Sequence, residues 1–110
     1  MRGNGLKFHD MLSSKTRASL RAEAHHLSVT VHVGHHGVTD AVLRSLEDAF
    51  RTRELIKVQF SRNDDAKVKD SANDLARSVG ADVVQVIGRT ATLYRENPEL
   101  KEREQKANRD

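Results

Sequence analysis

The stretch VTVHVGHHGVTDAVLRSLEDAF, running from Val29 to Phe50, decides the fold. Val29, Val31 and Val33 alternate with Thr30 and His32, so three β-branched residues share one side of an extended segment, the pattern of a strand. The strand stops at Gly34-His35-His36-Gly37, where two glycines three apart allow a sharp turn and close approach of a ligand to the backbone. Thr39 has the chemistry of an N-cap, and Val42, Leu43, Leu46, Ala49 and Phe50 follow at helical spacing. A strand therefore enters a Gly-x-x-Gly loop and a helix leaves it. Amides at the loop and the helix start lack intrahelical partners and lie at the positive end of the helix dipole, where a phosphate is a natural ligand. The plainer reading of two glycines at that place is a turn and nothing more.

Working outward towards the N-terminus, Ser13 or Ser14 can cap a helix through KTRASLRAEAHHL. Its apolar stripe is Ala18 or Leu20 with Ala24 and Leu27, and Lys15, Arg17 and Arg21 lie outside that stripe. Arg17 and Arg21 are four apart and share a face, which is either a basic contact surface or a solvated one. Residues 1–12, with two glycines and no period, read as a flexible arm that holds Phe8.

Towards the C-terminus, Ile56, Val58 and Phe60 alternate with Lys57 and Gln59 in a second strand. Polar punctuation from Ser61 to Asp65 follows, and then Val68, Ala72, Leu75, Ala76 and Val79 mark a third helix stopped by Gly80. A third strand spans Val83 to Ile87, and Gly88-Arg89 reads as a two-residue type II′ hairpin loop into TATLYR, with Leu93 and Tyr94 on opposite faces. The expected class is α/β: one compact domain at 13–96 in the order α-β-α-β-α-β-β, a four-stranded mixed sheet packed with three helices. From 97 to 110 the chain turns polar and charged, a frayed helix or a disordered tail.

Composition limits what such a domain can do. A chain of 110 residues has room for one modest core, with 36% hydrophobic residues to fill it. Without cysteine there is no disulfide framework, thiolate metal site or thiol nucleophile, which suits a reducing, cytoplasmic location. No 18-residue apolar run exists, and MRGNGLKFHDML lacks a signal-peptide core, so no membrane partner is expected. The net charge of +3 comes from 19 basic and 16 acidic residues, a mixed surface on which the placement of cations decides the partner.

From LSSKTRASLRAEAHHL through the Val29–Phe50 stretch and ELIKVQF to GADVVQVIGRTATLYR, the chain resembles the CRM domain, named for chloroplast RNA splicing and ribosome maturation, in its stand-alone YhbY-like form. The likeness covers Leu12 to Arg95 and rests on the order of four signatures: the Gly-x-x-Gly loop before a T-x-x-V-L helix, then E-L-I-K-V, V-Q-V-I-G-R-T and L-Y-R. It implies a fold related to the C-terminal domain of translation initiation factor three and an RNA-binding accessory factor for large ribosomal subunit assembly. It implies as partner the large-subunit RNA or its precursor particle, and the expected protein is a monomer without enzymatic activity or cofactor, since no motif singles out catalytic residues. Carried over by position, the RNA-binding residues are Gly34, His35, His36 and Gly37 in the loop, Lys15, Arg17 and Arg21 on the first helix, and Arg89 in the hairpin. Two departures from the family stand out. Histidines occupy the loop where lysine, asparagine or serine is common, and His26 and Val29 stand after the first helix where a proline is common.

Two other readings compete. His32, His35 and His36 could seat a metal in a hydrolase, although no cysteine, nucleophile elbow or paired-carboxylate motif supports one. The charged tail could instead serve a protein-interaction module. Aromatic residues are too few for a base-stacking platform, since Phe50 and Phe60 fall on core faces.

Overall fold

The computed structural model describes residues 13–61 and 65–100, so the arm at 1–12, the loop positions 62–64 and the tail beyond 100 lie outside the described residues. The elements are α1 (Ser14–Ala24), β1 (Val29–Val33), α2 (Asp40–Phe50), β2 (Leu55–Phe60), α3 (Asp65–Val79), β3 (Asp82–Ile87) and β4 (Thr90–Tyr94), the order that the periodicity predicts. Their ends follow local chemistry. Ser13 is the N-cap of α1, its hydroxyl accepting from the Thr16 amide at 3.1 Å, and Thr39 caps α2 by accepting from Val42 at 3.3 Å. At the end of α3, Gly80 takes φ +68 while its amide donates to Arg77 and the Ala81 amide to Ala76, the paired bonds of a Schellman motif.

The strands form one sheet in the order β1-β2-β4-β3, with β1 parallel to β2 and both other pairs antiparallel. Gly88 turns the β3-β4 hairpin at φ +58. Arg89 keeps a negative φ, as does every described non-glycine residue, which fits a type II′ turn and excludes type I′.

The two faces of the sheet are covered differently. On one face α2 and α3 bury Leu46, Phe50, Val68, Ala72 and Leu75 against Val31, Val58, Phe60, Ala91 and Leu93. On the other, α1 lies alone, and Ala24 joins Leu55 and Val84 with Leu20, Leu27 and Tyr94 around them. Leu20 rather than the exposed Ala18 thus completes the α1 stripe. Leu93 and Tyr94 serve the two different layers, as strand alternation requires.

Arg95, the last residue of L-Y-R, closes the α2-α3 side. Its guanidinium lies 4.8 Å from the centroid of the buried Phe50 ring, donates to the Val79 carbonyl at 2.9 Å and pairs with Glu47 at 3.1 Å. Asn97 continues the closure: its side-chain amide donates to the Phe50 carbonyl at 3.1 Å, and its backbone amide to the Glu54 carboxylate. This arginine therefore joins α2, the end of α3 and β4, and its charge is spent inside the fold. Arg95→Ala removes a charged hydrogen bond and a cation-π contact, so it should cost about 2 kcal/mol or more. The thermal midpoint should fall on the order of 10 °C. Arg95→Lys should recover little of that, because lysine lacks the planar fork. An unchanged midpoint for Arg95→Ala would show that the three elements hold without it.

Candidate nucleic-acid interface

Because β1 and β2 are parallel, their C-terminal ends lie side by side, and the antiparallel β4 brings the β3-β4 turn to the same end of the sheet. Two backbone bonds fix the junction: the Ser61 amide donates to the Val33 carbonyl at 3.0 Å, and the Phe60 amide to the Arg89 carbonyl at 2.8 Å. Gly34 and Arg89 consequently border one groove of about 290 Å³, together with His32, Gln59 and Ser61. Two positions 55 residues apart in sequence, the loop and the hairpin arginine, are thus neighbours.

The loop is a tight turn in which the Gly37 amide donates to the Gly34 carbonyl at 3.0 Å. His35 and His36 occupy its central positions, exposed and without positive φ, which fits a type I turn closed by glycine. The two glycines do different work. Gly37 takes φ +72, so backbone geometry alone accounts for it. Gly34 has no such φ, and a Cβ built on it would meet nothing within 4 Å. Neither strain nor crowding in the fold requires glycine at 34, and what its missing side chain leaves open is the outer surface of the turn.

At the start of α2, Thr39 satisfies the Val42 amide through its hydroxyl and the Leu43 amide through its carbonyl. The amides of Asp40 and Ala41 remain the helix-start donors with no intrahelical acceptor. Asp40 is exposed and already sets a negative charge in the first turn. An anion docking here rests mainly on the turn backbone and Arg89, with less help from the helix dipole than the motif suggests.

The basic first helix lies elsewhere. Arg17 donates to the Val83 carbonyl at 2.9 Å, where the pairing of β3 with β4 is irregular between Val83 and Gln85. Val83 is four residues from the hairpin end, roughly 13 Å along the strand. Arg17 thus has a packing role that its place off the apolar stripe conceals. Lys15 is exposed and Arg21 half-buried on the same helix, and neither reaches the loop groove.

A larger groove of about 580 Å³ lies at the far end of the sheet, among Arg51, Arg95, Glu96 and Asn97, where charges of both signs meet. His32 borders the loop groove from the sheet, but among the described residues no group of three or more His, Cys, Asp or Glu could hold a metal ion.

Comparison with known proteins places this architecture. The model of the CRS1 / YhbY (CRM) domain matches residues 12–95. The chain is 38% identical over 92 residues to a Bacillus subtilis protein named "Probable RNA-binding protein YqeI", with 84% of this chain and 96% of that protein covered. It is 38% identical over 90 residues to a Haemophilus influenzae protein named "RNA-binding protein", covering 82% and 91%. The solution structure of a Staphylococcus aureus protein superposes with a TM-score of 0.72 at 32% identity, over 79% of this chain and 91% of that one. On the family match and on these relatives, the chain belongs to the CRS1/YhbY (CRM) domain family.

Proposed function

We propose that this protein binds RNA and, more specifically, holds the phosphate backbone of structured ribosomal RNA through the Gly34–Gly37 turn and Arg89, as a cytoplasmic, monomeric accessory factor in large-subunit assembly with no catalysis of its own. The names carried by its relatives support RNA as the ligand. The observation that carries the choice of site is Gly34, a glycine for which neither φ nor crowding gives a reason, beside an arginine brought to the same groove. A phosphate packed against bare backbone gives the reason, because any side chain at 34 would stand in its way. Lys15 and Arg21 extend the positive surface on α1, and Arg17 contributes both charge and packing.

The loop histidines modulate this grip. His35 and His36 are exposed at the centre of the turn and offer ring N–H donors to a phosphate oxygen.

Three outcomes are expected. Gly34→Asp should lower affinity for a structured RNA at least about tenfold, equal to about 1.4 kcal/mol, with the thermal midpoint almost unmoved because the new Cβ meets open space. Normal affinity in that variant would assign the turn to folding alone. With about four to six phosphates engaged, log affinity should fall with log salt at a slope of roughly −3 to −5, and a flat dependence would exclude a backbone clamp. In cell extract at low and moderate salt, the protein should sediment with precursors of the large subunit. Its absence from every ribosomal particle would direct the same clamp to another RNA.

A further inference from the structure

On the α1 side, the sheet register separates covered rows from uncovered ones. Leu55, Tyr94 and Asp82 form one row across β2, β4 and β3, and this is the row that α1 overlies. The next row towards the loop is Lys57, Thr92 and Gln85, and beyond it His32, Gln59, Thr90 and Ile87 cross all four strands. In the nearer row Thr92 is buried at 1% exposure and Lys57 and Gln85 are half-buried, whereas among the described residues no helix lies over the outer row, where His32 and Ile87 are exposed. Ile87 is 61% exposed, and shallow grooves of about 190 and 290 Å³ run over the two rows, the second reaching Gly34 and Arg89.

The chemistry of this surface is one-sided. A face bathed only by water accepts carboxylates as readily as cations, and the chain has 16 Asp and Glu to place. Yet among the described residues no carboxylate lines either groove, while Lys57, Arg89 and two histidines do. Lys57 is held in place by a bond from its ammonium to the Leu27 carbonyl at 3.4 Å. The remaining polar groups are amides and hydroxyls that both donate and accept. We infer that the uncovered half of the sheet is a second contact surface that takes unpaired ribonucleotides leading away from the RNA held at the Gly34–Gly37 turn.

The preference for unpaired strands follows from shape. Gln59, Gln85 and Thr90 are half-buried within shallow depressions and do not project as a ridge. An A-form duplex keeps its bases stacked, with their major-groove edges in a deep, narrow groove, so it offers recessed groups only the shape of a shallow minor groove, whereas splayed nucleotides can seat single bases in such depressions and offer their Watson–Crick edges. With neighbouring strands about 4.8 Å apart, the row from His32 to Ile87 is roughly 14 Å wide, enough for a short run of nucleotides. Neither row contains an aromatic residue, so binding here is by hydrogen bonds and charge and does not rely on stacking.

This inference rests on the proposed RNA contact at the turn, and the test separates the two. Affinity is measured for an RNA hairpin of about twelve base pairs, blunt or carrying about six unpaired uridines at the 5′ or the 3′ end. One of the flanked hairpins should bind wild-type protein at least about fivefold tighter than the blunt one. The double variant Gln85→Glu with Ile87→Glu, at two positions outside the Gly34–Arg89 groove, should lose that gain and keep its affinity for the blunt hairpin, whereas Gln85→Lys with Ile87→Lys should keep or enlarge the gain. The charge-reversed pair removes any ambiguity from altered packing, since both doubles disturb packing alike. Equal binding of blunt and flanked RNA by the wild type, or an undiminished gain in the glutamate double, overturns the proposal and leaves the surface to water or a protein partner. Gly34→Asp reports on the turn: if it binds blunt hairpin normally while the flank gain persists, the turn reading fails and the sheet surface stands.

Discussion

A single helix cannot cover one face of a four-stranded sheet. A helix with its side chains is about 10 to 12 Å across, while four strands at about 4.8 Å spacing present a face nearly twice that wide. On one side α2 and α3 together meet the requirement, and every strand offers apolar residues to them. On the other side α1 is alone, and the residues change accordingly: Leu55, Val84 and Tyr94 beneath the helix, then Lys57, Gln59, Gln85 and Thr90 beyond its edge. The distribution of polar residues along β2, β3 and β4 is the imprint of one short helix.

The parallel pairing of β1 with β2 has an equally direct consequence. Parallel strands need a crossover, here α2, so the turn after β1 must deliver the chain into a helix at the sheet's C-terminal end. The antiparallel return of β4 then places the hairpin there as well. Topology thus concentrates the Gly34–Gly37 turn and Arg89 at one end, and Arg95 with Asn97 at the other, where they bind α2 and α3. Two arginines close together in sequence have opposite roles because the five residues of β4 separate the ends they occupy.

Much of the fold is legible in the sequence because its periodicities agree with its punctuation. Thr39, Gly80 and Gly88 stand where a cap, a helix stop and a hairpin need them, and the apolar stripes of α2 and α3 supply buried residues with few exceptions. The less legible features depend on which element lies over which. Nothing local shows that Arg17, off the apolar stripe of its helix, reaches the Val83 carbonyl, or that Arg95 lies on the Phe50 ring. Nor does Gly-x-x-Gly reveal that Gly37 answers to backbone conformation and Gly34 does not, since that distinction needs φ and the surrounding space. The polar side of β2, visible as Lys57 and Gln59, becomes informative only once α1 is seen to stop short of it.

The proposed RNA contact is concentrated at the end of the sheet where the β1-α2 turn meets the β3-β4 hairpin. The most direct measurement is an amide chemical-shift map of the isotope-labelled protein titrated with a structured RNA. Gly34 to Gly37, Ser61 and Arg89 should show the largest changes, with Asp74, Arg77 and the Arg51–Asn97 groove nearly silent. Changes centred on that far groove or on the outer face of α3, with the turn unmoved, would contradict the account.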